Sequence, residues 1–161
     1  MWNVFLVIMA NAYTQLYVHI VFAVKFRNAS IQKSWDERLH KYLTGIFQKN
    51  KHKMIQINSM PDHIHIFIGL NPDQSISSIV GNVKSESTKW IKREGFCSFP
   101  FAWQDGYGAF SHSRSQLSNV ISYIVNQEAH HAKKDFLTEY QELLKAFEID
   151  YNEAYIFKEL I

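Results

Sequence analysis

From Tyr13 to Phe26 the chain alternates. Leu16, Val18, Ile20 and Phe22 fall on one side and Gln15, Tyr17, His19 and Val21 on the other, the period-two pattern of a long first strand. At Ser34, a helix-cap residue, the period lengthens. Trp35, Leu39, Tyr42, Leu43, Ile46 and Phe47 then recur on one face of a helix predicted over 34–50. Met54, Ile55 and Ile57 make a short second strand, and the turn residues Ser59-Met60-Pro61-Asp62 lead into a third, His63-Ile64-His65-Ile66-Phe67-Ile68, ended by Asn71-Pro72-Asp73. Ile76, Ile79, Val80, Val83, Trp90 and Ile91 trace a second helix. A fourth strand is predicted over 102–113, loosened by Gly106 and Gly108, whose missing side chains let another part of the chain approach. Ser115 or Ser118 caps a helix carrying Leu117, Val120, Ile121, Ile124 and Val125, and a last helix covers 134–147.

The order β-α-β-β-α-β followed by helices predicts an α+β fold of the ferredoxin-like (RRM-like) kind: an antiparallel sheet with two helices on one face and the other face open for a site. On this plan the strands carrying His19 and the His63/His65 pair are neighbours at the centre of the sheet. Residues 9–161 read as one domain. Residues 1–8 read as an upstream extension or apolar flap before Met9, without the positive leader of a secretory signal and too short to span a bilayer.

Composition narrows the class further. Of 161 residues 47% are hydrophobic, with 12 Phe and 8 Tyr, which excludes a mainly disordered chain. The single cysteine, Cys97, has no internal partner, and no C-x-x-C pattern exists, so a reducing cytoplasm is the expected compartment and no membrane is involved. A net charge of +2 is too mild to establish a nucleic-acid partner by itself.

The chemistry concentrates in His63 and His65. Residues i and i+2 of a strand point to the same face, so two imidazoles stand side by side while Ile64, Ile66 and Ile68 pack the other way. Strand histidines on a wet face are common, and helical tyrosines are commonly core residues; together they mean more. Tyr123 and Gln127, four apart on a predicted helix, share a face. Two imidazoles and an amide oxygen can hold a divalent cation with positions left for a phosphate and water. A phenol beside a metal-polarised phosphodiester can attack phosphorus, forming a phosphotyrosine and expelling a sugar hydroxyl.

These blocks resemble the single-tyrosine HUH transposases of the bacterial insertion-sequence 200/605 group. The likeness runs from Tyr17-Val18-His19-Ile20-Val21-Phe22 through Pro61-Asp62-His63-Ile64-His65, Val83-Lys84 and Gln104-Asp105-Gly106-Tyr107-Gly108-Ala109-Phe110 to Tyr123-Ile124-Val125-Asn126-Gln127. The resemblance implies that Tyr123 is the nucleophile and that His63, His65 and Gln127 hold Mg²⁺ or Mn²⁺, with Glu128 the less well-faced substitute and His19 behind the ligands. It implies a single-stranded DNA substrate with hairpin ends, a 5′-phosphotyrosine intermediate and a free 3′-OH. It also implies a homodimer in which the tyrosine helix of one subunit can complete the other's site. Lys25, Arg27, Lys84, Lys89, Lys92 and Lys133 are the expected phosphate contacts. The alternatives are a non-catalytic or domesticated hairpin-binding protein on the same fold, and a metal-dependent hydrolase that uses water instead of Tyr123.

Overall fold

The computed structural model describes residues 12–161, so the reading of residues 1–8 lies outside the described residues. The main elements are β1 (Tyr17–Ala23), α1 (Asp36–Lys49), β2 (Lys53–Met60), β3 (His63–Gly69), α2 (Ile76–Glu94), β4 (Gly108–His112), α3 (Leu117–Val125), α4 (Gln127–His131) and α5 (Phe136–Ala146), with short 3₁₀ turns at Arg27–Ala29 and Arg114–Gln116. The strands form one antiparallel sheet in the order β2-β3-β1-β4, which is the ferredoxin-like plan with added C-terminal helices. β1 and β3 lie at the centre, with Val21 opposite His65 and His19 opposite Phe67.

Two elements are shorter than their hydrophobic pattern. β1 begins only at Tyr17, because β3 ends at Gly69 and β4 at His112, so earlier residues have no ladder; Tyr13 is 91% exposed. Upstream of β4 the chain keeps a single bridge, Trp103 to Val24, and then bends at Gly106, whose φ of +87° favours glycine. The Gln104 and Gly106 carbonyls accept from Lys84 Nζ at 2.8 and 2.6 Å instead of from a strand. Ser34 does not cap α1: Trp35 is the cap residue, and the Gln32 carbonyl takes the Trp35 and Asp36 N–H groups at 3.1 and 3.0 Å. α2 is capped at both ends, with Ser75 Oγ accepting from Ser78 N and Gly95 closing the helix at φ +69°.

The larger departure concerns the second face of the sheet, which is covered rather than open. The C-terminal helices carry apolar residues that need a surface, and Val120, Ile124, Phe136 and Tyr140 are all buried. Gly108 is what allows α5 its position. A Cβ there would stand 2.8 Å from Tyr140 Cε2, so the approach made possible by glycine is that of an aromatic ring.

Candidate active site

Alternation along β3 sends Ile64, Ile66 and Ile68 into the main core with Leu39, Leu43, Val80 and Val83 of α1 and α2. His63, His65 and Phe67 point the other way, beneath the C-terminal helices, and all six side chains are fully buried. Buried imidazoles need partners for both ring nitrogens. The β2–β3 turn supplies one: Asp62 Oδ1 lies 2.6 Å from His63 Nδ1, and the turn itself is pinned by Val24 N donating to the Asp62 carbonyl at 2.8 Å. β1 supplies the other, with His19 Nε2 at 2.8 Å from His65 Nδ1. Both Nε2 atoms are thereby turned toward a common centre, the orientation that outer hydrogen bonds impose on metal-binding histidines. Phe136 of α5 stacks on the His63 ring at 4.0 Å and holds its plane.

Burial also keeps the imidazoles basic sites unfilled. His65 is pushed down to about 4 by loss of hydration, only partly opposed by Glu139, and His19 is lowered well below its ordinary value, again mainly by burial. Both are neutral at pH 7, as metal ligation requires.

Around this centre the later helices place an amide, a phenol and a carboxylate. Backbone regularity breaks at Asn126, so Tyr123 and Gln127 sit on two successive helices, α3 and α4, yet Gln127 Nε2 still donates to the Tyr123 carbonyl at 3.4 Å. Gln127 is completely buried, with Oε1 3.3 Å from His63 Nε2 and 3.0 Å from His131 Nε2. The half-buried Tyr123 ring stands edge-on to His65, centroids 5.7 Å apart, and edge-on to His19 at 6.1 Å. Burial, then the Glu139 charge, raise its phenol above the ordinary range. It borders a cavity of about 220 Å³ shared with His130, Glu139, Glu142 and Leu143.

Glu139 is the group that the sequence reading did not single out. It is 3% exposed, with Oε1 2.9 Å from His65 Nε2 and Oε2 2.6 Å from His131 Nε2. Burial alone would raise its carboxyl, but the close approach of His131 and His65 outweighs this and holds it far below the usual carboxylate range. Among the described residues, His63, His65 and Glu139 form a cluster whose ligand atoms all lie within 4.8 Å of one another. Ligand atoms ~2.1 Å from a small divalent cation and at right angles stand ~3 Å apart. The 2.9 Å from His65 to Glu139 and the 3.3 Å from His63 to Gln127 match that spacing. The residues present therefore fit a divalent cation.

The remaining expected site residues spread over the surface. Glu128 turns to solvent and pairs with Lys33, so it takes no part in the cluster; one position past Gln127 on a helix is a different face. Lys25, Arg27, Lys89, Lys92 and Lys133 are exposed. Lys84 is partly buried over the Phe22 ring, lowered to about 8 by burial, and its ammonium is engaged by the two carbonyls before β4.

The class to which this fold and site belong is a family of transposases. Residues 12–127 match the family described as "Transposase IS200 like", and the chain belongs to that family. It is 25% identical over 122 residues to the ISDra2 transposase TnpA of Deinococcus radiodurans, covering 70% of this chain and 84% of the relative. A crystal structure of a Deinococcus radiodurans R1 protein assigned as a transposase superposes with a TM-score of 0.57 at 21% identity, over 73% of this chain and 94% of the other. A REP-associated tyrosine transposase, solved bound to a REP hairpin, gives 0.58 at 14% identity, over 75% and 72%. At these identities the two structures speak for the fold. Among the described residues no helix is long and apolar enough to cross a membrane.

Proposed function

We propose that this transposase cuts and rejoins single-stranded DNA at hairpin-bearing insertion-sequence ends through a 5′-phosphotyrosine on Tyr123. The observation that carries the reading is the edge-on packing of Tyr123 against His65 at 5.7 Å within one chain, beside a cavity of about 220 Å³. His63 and His65, with Gln127 adjacent, would hold Mg²⁺ or Mn²⁺, which when bound would supply Lewis-acid polarisation of a phosphate. Asp62 and His19 hold the ring planes of the two histidines, and the Asp62 carboxylate fixes the tautomer of His63 by accepting from its Nδ1. Burial raises the Tyr123 phenol above its ordinary range, so it is neutral at pH 7 and loses its proton as it attacks. Its Oη then bonds to phosphorus as the bond from phosphorus to the 3′ oxygen breaks. The proton lost by the phenol is balanced by the one gained on the released 3′-OH. Attack by a 3′-OH on the phosphotyrosine reverses the step and joins a new strand, with no nucleotide cofactor needed.

The exposed Lys25, Arg27, Lys89, Lys92 and Lys133 are suited to phosphate contacts along the strand and hairpin. The partner for the second end of an element is a homodimer mate, with exposed Val125 on α3 offering apolar surface for it. In this arrangement each Tyr123 serves the histidines of its own chain.

Labelled single-stranded hairpin DNA, incubated with protein and Mn²⁺ and run on a denaturing gel, tests the mechanism. The wild type forms a protein–DNA adduct, and Tyr123→Phe lowers adduct formation by at least about 10³-fold. Undiminished adduct in that variant, or cleavage without any adduct, contradicts the assignment of Tyr123.

A further inference from the structure

Glu139 has a chemistry that a counter-ion role for His131 does not exhaust. Although its oxygens lie 2.9 Å from His65 Nε2 and 2.6 Å from His131 Nε2, both of them, and His65 Nε2 itself, lack a partner in hydrogen-bonding geometry. Leaving such atoms orphaned and buried costs free energy. The tautomers sharpen the point: the Asp62 carboxylate accepts from His63 Nδ1, leaving the His63 Nε2 lone pair for a cation. In the tautomer with the His65 Nδ1 proton donated to His19, His65 Nε2 presents a lone pair to a carboxylate oxygen, a repulsion that a cation between them converts into two bonds.

Charge argues the same way. Imidazole nitrogens and the Gln127 amide supply lone pairs but no negative charge, whereas the Glu139 carboxylate makes the pocket anionic. Position adds the consequence: His65 belongs to β3 and Glu139 to α5, so a shared ligand joins the sheet to the helix that walls the Tyr123 cavity. Resting on the reading that His63 and His65 hold a divalent cation, we infer that Glu139 is a third protein ligand, that the cation binds before DNA arrives, and that it fastens α5 over β3.

Mn²⁺ titrated into the full chain without DNA, with free ion followed by electron paramagnetic resonance and amide exchange followed over α5, tests this. Wild-type protein binds saturably and its α5 amides become protected. Glu139→Gln weakens binding by at least about tenfold, since even outer partners of ligands contribute that much, and erases the added protection. Glu139→Asp, which retains the charge with a shorter reach, falls between. Glu128→Gln, altering a carboxylate outside the cluster, binds as wild type. His65→Ala loses binding. If His65→Ala loses it while both Glu139 variants, shown folded by circular dichroism, keep wild-type affinity, Glu139 is only the counter-ion of His131 and the inference fails. If His65→Ala binds normally, or the wild type binds nothing, the histidine site fails with it.

Discussion

β3 has two faces that are equally buried and chemically opposite. Ile64, Ile66 and Ile68 are fully buried on one, and His63, His65 and Phe67 are fully buried on the other. The first face satisfies burial by apolar packing, which is non-directional and tolerant of its neighbours' identity. The second buries ring nitrogens and a carboxylate, where every atom needs a specific partner and His65 Nε2 and the Glu139 oxygens still lack one. Burial alone therefore does not separate scaffold from site in this protein; what separates them is how each buried group is satisfied.

The widest separation should come from truncating the apolar face. Ile66→Ala removes packing from the main core and is expected to cost about 2–5 kcal/mol, read as a lower midpoint in urea. Mn²⁺ affinity of the folded fraction should stay at the wild-type value, because Ile66 points away from His65. A parallel loss of Mn²⁺ affinity would show that the two faces are not independent.

Much of the first face is legible in the sequence because its signals are periodic. The stripe Leu39, Leu43, Ile46, Phe47 and the alternation of β3 both map directly onto buried residues, and the H-x-H pair with Tyr123 and Gln127 does converge as the pattern implies. The second face is less legible. A ferredoxin-like plan leaves it bare, and the three C-terminal helices that cover it are tertiary additions with no fixed place in that plan. Glu139 illustrates the gap: it sits in the stripe Phe136, Glu139, Tyr140, Leu144, all buried, and an acid inside an apolar stripe is the one signal that pointed to it. Its partners, 74 and 76 residues upstream as counted from His65 and His63, are set by long-range packing that no local period encodes. Lys84 fails as a simple surface cation for a related reason, since the bend at Gly106 delivers two carbonyls to it.

A smaller effect is expected where α5 meets β4. Gly108→Ala places a methyl 2.8 Å from Tyr140 Cε2 and 2.9 Å from its Oη, so the ring, and the helix that carries Glu139, must shift. Overpacking of this kind costs about 1–3 kcal/mol. Unlike Ile66→Ala, it should weaken Mn²⁺ binding as well as stability, because the displaced helix holds the carboxylate. Stability loss with unchanged affinity would mean that α5 can tilt without moving Glu139.

Acidification offers the gentlest probe, and its sign follows from the direction of the imidazole shifts. In the unfolded chain His65 takes up a proton near the ordinary value of about 6.5, while in the folded chain burial delays this to about 4. Between those values the unfolded state binds more protons, so stability falls as pH drops through this window, by at most about 1.4 kcal/mol per unit for one such group. His19, lowered for the same reason, adds to the slope. Ile64, Ile66 and Ile68 contribute nothing to it; His40 and His112, lowered by burial, steepen it and His131, raised by Glu139, opposes it, so the difference between wild type and a His65 variant is what isolates His65. Melting temperatures measured in EDTA from pH 7 to pH 5 should therefore decline in the wild type, and His65→Asn should flatten the decline while leaving the His19 share. Equal slopes in the two proteins would mean that His65 takes up a proton in the folded state near the pH at which it does so unfolded, and the neutral, metal-ready imidazole would have to be given up.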